Sequence, residues 1–187
     1  MFGTAWTAGL VAALGVAPSP AFAATYNKLT VEGGGAGNCL QTNSLLTDAN
    51  LATTGCTNNR SQWDIDYVDG DLLEEAEEAG DGIFNDDETQ YVFIRNNTAK
   101  KRGNSNIYVR QCLKRASDNS VYVGNCTNTL DSVWAVAGDI DRGYALSIRS
   151  VSAYEDGDET LLAAGFRGSV VLDDDASVRA WHWGSLR

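Results

Sequence analysis

The chain of 187 residues has one histidine, one methionine and two prolines, and both prolines fall within its first 20 residues. It has no Cys-x-x-Cys pair, so its four cysteines and lone His182 do not match the ligand spacing of a zinc site. It also has no Gly-x-Ser-x-Gly elbow and no second histidine, and although a pair of carboxylates could in principle run glycoside hydrolysis, 25 acids in the chain single out no such pair. We therefore expect no enzyme, no cofactor and no metal, with His182 a partly buried residue of the closing strand. Aspartates do cluster at Asp69-Gly70-Asp71, Asp81-Gly82, Asp86-Asp87-Glu88 and Asp173-Asp174-Asp175. None of these clusters follows the alternating-oxygen spacing of a calcium loop, and they read as solvated acidic loops.

Positive charge is scarce as well. The formal net charge is -11, which argues against nucleic acid, whose binding needs a basic face, and disfavours adhesion to anionic lipid. The stretch from Ser61 to Ile94 has no lysine or arginine and twelve acids, whereas Arg95 to Arg115 has seven bases and no acid. This reads as an acidic loop lying near a basic one in a single domain.

No apolar run is long enough to cross a bilayer. The run Ala8 to Ala17 is uncharged, is broken by Pro18 and Pro20, and precedes Ala21-Phe22-Ala23, a small-x-small processing signature. Residues 1–23 are thus expected to be a secretory signal peptide, although no base precedes the apolar run. The remaining 24–187 has the length of one domain, exported and soluble, with no membrane insertion. In that setting four cysteines imply two disulfides.

A helical period is missing too. Short runs rich in Val, Ile, Tyr and Thr recur instead, at Lys28 to Glu32, Gln90 to Arg95, Ile107 to Arg110, Val121 to Val123, Tyr144 to Arg149 and Ser169 to Leu172. They predict an all-β fold. The exception, Leu72 to Ala79, is made of good helix formers but is short, and is expected to be a loop with a turn or two of helix.

What the chain does contain is a motif repeated three times. Cys39-Leu40 is followed by Cys56 and Trp63, Cys112-Leu113 by Cys126 and Trp134, and Leu161-Leu162 stands in register with Asp175 and Trp183. The second and third copies share steps of 14 and then 8 residues. Such units bury one shared core. Repeats of about 24–69, 88–138 and 139–187 result, with an acidic insert at 70–87. Of the three pairings open to four cysteines, the repeat selects Cys39 with Cys56 and Cys112 with Cys126, each loop worth about 3 kcal/mol in the chain-entropy model. Trp63, Trp134 and one of Trp181 or Trp183 are assigned to the core, the spacing selecting Trp183.

Three units, each with strand, Cys-Leu, strand, Cys and then a polar residue two before Trp, resemble the ricin B-type β-trefoil lectin domain across essentially the whole of 24–187. The resemblance implies a β-trefoil that binds glycans or glycoproteins through a shallow pocket in each repeat. Such a pocket has an Asp after Cys-Leu, an aromatic before the second Cys, and an Asn-Gln pair before Trp. Here the Asp positions hold Gln41, Lys114 and Ala163, and the aromatic positions hold Thr54, Gly124 and Asp173. The Gln positions hold Ser61, Ser132 and Trp181. The candidate carbohydrate-binding residues are therefore an altered set in the second repeat: Lys114, Tyr122, Asn125 and Asp131.

Two further readings stay open. One is a cell-binding or delivery subunit of a multi-component toxin, contacting a protein partner. The other is a trefoil protease inhibitor, with the basic Ala99 to Asn106 loop as its reactive segment. Asn59, Asn96 and Asn125 each begin an N-glycosylation triplet.

Overall fold

A computed structural model describes residues 27–31, 39–43, 47–51, 56, 59–84, 89–101, 108–140, 144–165, 168–175 and 180–185. The expected signal peptide, Thr54 and most of the basic loop, at 102–107, lie outside the described residues.

Along the chain the described strands fall into three sets of four. The first gives β1 (Asn27–Val31), β2 (Leu40–Thr42), β3 (Ala49–Leu51) and β4 (Trp63–Tyr67). The second gives β5 (Gln90–Lys101), β6 (Tyr108–Arg115), β7 (Val121–Asn125) and β8 (Trp134–Asp139). The third gives β9 (Tyr144–Ser150), β10 (Leu162–Ala164), β11 (Val170–Leu172) and β12 (Trp181–Ser185). The structure is mostly β, as the short Val- and Ile-rich runs predict.

The outer strands of the repeats pair antiparallel in the order β4-β1-β12-β9-β8-β5, and β4 pairs again with β5. The six strands therefore close into a ring, which removes free sheet edges. The inner strands form three hairpins, β2–β3, β6–β7 and β10–β11. Single bridges Asp48 to Tyr122, Asn50 to Ser169 and Ser120 to Val171 join each hairpin to the other two. The result is a triangle of hairpins joined to one ring.

One contact recurs in all three repeats. The indole N–H of Trp63 donates to the Leu40 carbonyl at 2.9 Å, that of Trp134 to Leu113 at 3.0 Å, and that of Trp181 to Leu162 at 2.8 Å. All three rings are fully buried, and each ties a ring strand to the first strand of its own hairpin. The third member corrects the spacing argument, because Trp181 and not Trp183 occupies the core position. On β12 the two face the same way, since side chains alternate with period two. Trp183 sits one step further along, opposite Leu29, and is only partly buried at the edge of the cluster.

The acidic insert is also more ordered than expected. Asp71–Ala79 forms a nine-residue helix, α1, with Ala76 fully buried. Packing supplies what the isolated segment lacks: Leu72, Leu73 and Ala79 close over a second cluster that includes Val68, Phe93, Val133 and Val151. A second helix, α2 (Val151–Asp156), follows β9 directly and went unread in the sequence. The Ser150 hydroxyl caps it by accepting from the Ala153 N–H, and Gly157 ends it at φ 76°.

The third repeat has no disulfide, and Asp174 closes its hairpin instead. The Asp174 carboxylate accepts from the Leu161 N–H at 2.8 Å and the Thr160 N–H at 3.2 Å, with the Arg149 guanidinium 3.5 Å away. Burial works against its charge, but these donors outweigh it and hold its carboxyl below the usual range. A depressed carboxyl contributes stability above its unfolded value, near pH 4, and loses it as pH falls through the folded value. Asp174→Asn should therefore cost on the order of 1 kcal/mol near neutral pH, modest because the carboxylate is 44% exposed. Chemical denaturation of both proteins should show that gap closing below about pH 4. A gap constant across the range would refute the clamp.

Candidate functional site

On β6 and β7, Lys114 is the cross-strand partner of Tyr122, and Cys112 that of Gly124. The period of two puts Cys112, Lys114, Tyr122 and Gly124 on one hairpin face, and Cys126 continues that face just past β7. Gly124 stands where the lectin pattern has its aromatic. A Cβ built there would lie 2.9 Å from Tyr122 Cε2 and 3.3 Å from Lys114 Cδ. The Tyr122 ring thus lies across the glycine and beside the lysine stem. A ring therefore stands at the Gly124 position, brought in from two residues earlier in the strand.

The Lys114 side chain is 9% exposed, and its ammonium is paired with Asp131 Oδ2 at 2.8 Å. It also donates to Thr127 Oγ1 at 2.8 Å. Thr127 Oγ1 lies 2.7 Å from Thr129 Oγ1, and the Thr129 hydroxyl in turn donates to Asp131 Oδ1. Asp131 sits in the 3-10 turn Leu130–Ser132, which positions Trp134 two residues on. The half-buried ring therefore lies beside the stem of a lysine whose ammonium is joined to a carboxylate and two hydroxyls in one hydrogen-bonded chain. Such a set can bind the hydroxyls of a sugar while the ring covers its C–H face.

Of the four candidates, the structure brings Lys114, Tyr122 and Asp131 together and leaves Asn125 apart. Asn125 points to the opposite side of β7, and its side-chain oxygen accepts from Gln111 Nε2 at 3.0 Å. Thr127 and Thr129 were missed. Their signal was the run Cys-Thr-Asn-Thr-Leu-Asp, polar at alternate positions and closed by the acid.

The other two repeats present less. Ala163 is buried and offers no polar atom, and Gln41 lies half-buried opposite Asn50. The disulfides are Cys39–Cys56 and Cys112–Cys126. His182 is half-buried on β12 opposite Thr30. No group of three or more His, Cys, Asp or Glu among the described residues is placed to hold a metal, and none of their helices is long and apolar enough to cross a membrane. Asn96 is buried, its amide donating to the Arg60 and Gln62 carbonyls, whereas Asn59 and Asn125 are exposed.

No family model matches the chain, and no curated protein does. Among solved structures it is similar to a chain in the crystal structure of the Haemophilus ducreyi cytolethal distending toxin. The TM-score is 0.53 at 14% identity, over 89% of this chain and 86% of that one. At that identity the likeness speaks to the fold.

Proposed function

We propose that the chain is a secreted, non-enzymatic β-trefoil of the ricin B type that binds a glycan or a glycosylated surface through its second repeat. The trefoil reading draws on the ring, the hairpin triangle and the threefold Trp-to-Leu bond. Export draws on the two disulfides. The binding reading rests on one observation, the Tyr122 ring laid across Gly124 beside the Lys114–Asp131 pair.

A second reading, a toxin subunit that docks a protein partner, is favoured by the toxin neighbour and by the α1–α2 face. Glu75, Glu78 and Glu155 line a cleft there beside Tyr154, and no ion pair to these acids occurs among the described residues. A basic surface would complement it.

One set of measurements separates the two. On a glycan array and on galactose, lactose and chitin matrices the protein should bind, and Tyr122→Ala should lower affinity about three- to tenfold, the worth of one stacked ring. Folded protein that binds no glycan, yet captures a partner lost on reversing Glu75 and Glu78 to lysine, would move the assignment to the second reading.

A further inference from the structure

The two disulfides differ in access and in what they hold. Cys39 is 0% and Cys56 5% exposed, a pair sealed in its own cluster. Cys112 is likewise buried, but its partner Cys126 is only partly so and lies between exposed Asn125 and Thr127. A dissolved thiol therefore meets less cover at Cys126 than at either cysteine of the first disulfide.

The accessible disulfide is also the one built into the pocket. Lys114 lies two residues after Cys112, and Thr127 is the residue after Cys126. The segment 126–132 carries Thr127, Thr129 and Asp131. Its far end is fixed by buried Val133 and by the Trp134 bond to Leu113, whereas its near end leaves β7 at the Asn125–Gln111 pair and is held beyond it by the disulfide, by the Cys126 N–H to the Arg110 carbonyl at 3.2 Å and by the side-chain bond of Lys114 to Thr127 at 2.8 Å. The Lys114–Asp131 pair is a weak substitute, because Asp131 is 35% exposed and solvent screens it.

We propose that Cys112–Cys126 is a redox latch on the second-repeat pocket, so that the ligand held under oxidising conditions is released when a low-molecular-weight thiol opens it. This rests on the glycan reading above for the ligand, though not for the latch. The thiolate attacks Cys126 Sγ, the S–S bond breaks, and the electron pair leaves on Cys112 Sγ, which takes a proton from solvent. A second thiol then displaces Cys126 from the mixed disulfide. Two electrons and two protons reach the protein, and one external disulfide forms. Reduced Cys112 remains a small apolar side chain in the second cluster, so the core outlasts the opening.

The test treats the intact protein with graded glutathione, traps thiols with iodoacetamide, and follows acylation of Lys114 by mass spectrometry alongside tryptophan emission. Cys126 should be trapped before Cys39 or Cys56, and Lys114 should then acylate about tenfold faster, as for a locally opened segment, with emission unchanged. The Cys112→Ala/Cys126→Ala double variant should show the same fast acylation without thiol, and Cys39→Ala/Cys56→Ala should not. Earlier opening of Cys39–Cys56, continued protection of Lys114 in the opened protein, or opening only with an emission shift would each overturn the latch. Failure to retain sugar in either redox state, with the acylation change intact, would strike the glycan reading alone.

Discussion

Trp181→Ala should cost about 3–5 kcal/mol of folding free energy, the range for truncating a fully buried tryptophan, and Trp183→Ala less than half of that. The two residues lie on the same face of the same strand, yet only Trp181 is fully buried with its N–H donated inward, to the Leu162 carbonyl at 2.8 Å. Its removal opens a cavity beside Leu146 and Leu162 and orphans that carbonyl, whereas Trp183 lies at the rim and water can fill its place. Trp181→Phe divides the effect, keeping most of the ring's area while losing the hydrogen bond, and should cost about 1–3 kcal/mol for the carbonyl left unsatisfied. Urea midpoints for the three variants at constant m-value provide the measurement. Equal losses at 181 and 183 would mean that the third repeat does not share the geometry of the other two.

The Trp181 case shows what this sequence could and could not convey. Cys-Leu and Trp recur because each is tied to a buried position: the Leu carbonyl receives the indole, and the Cys clips the hairpin beneath it. The third copy has no cysteine, and the step from the Leu to the tryptophan it bonds is not constant even between the two copies that have the disulfide: it is 23 residues from Leu40 to Trp63, 21 from Leu113 to Trp134 and 19 from Leu162 to Trp181. The step of 14 and then 8 residues therefore points two residues too far, to a residue that faces the same way. The helices were hard to read for a different reason. The six residues of α2 are too few to display a period, and α1 depends on Ala76, Leu72 and Leu73 packing against strands far away in sequence. At the candidate site the sequence singles out Lys114, Tyr122 and Asp131 by their places in the repeat, and the structure sets Lys114 beside both of the others. The tilt of the Tyr122 ring across Gly124 was not legible, because it depends on a side chain's absence as much as on its presence.

Arg115→Ala should be the most damaging polar substitution among the described residues, at about 2–3 kcal/mol, short of the 3–5 kcal/mol for breaking a fully buried pair. The residue is 6% exposed, and every nitrogen of its fork has a partner. Nε and Nη2 donate to Asn119 Oδ1 at 3.0 and 2.9 Å, Nη2 also to Asp158 Oδ2 at 2.6 Å, and Nη1 to Asp156 and to the Ser152 carbonyl. One guanidinium thus fixes the turn between β6 and β7, where Asn119 has φ 62°, to the end of α2 in the next repeat. The discount arises because Asp156 and Asp158 are 57% and 42% exposed and rehydrate when the cation goes. Lysine recovers little, since it has no planar fork to serve both Asn119 and the aspartates. Arg115→Met keeps the apolar stem and isolates the polar part of the loss. The consequence reaches the pocket, because the same turn carries Ser120 to its bridge with Val171 and sets Tyr122 two residues on. Urea unfolding of the alanine, lysine and methionine variants should rank them in that order from least to most stable, with sugar retention falling in parallel. Stability within about 0.5 kcal/mol of wild type, the range of ordinary surface changes, would show that the network is not a support of the hairpin triangle.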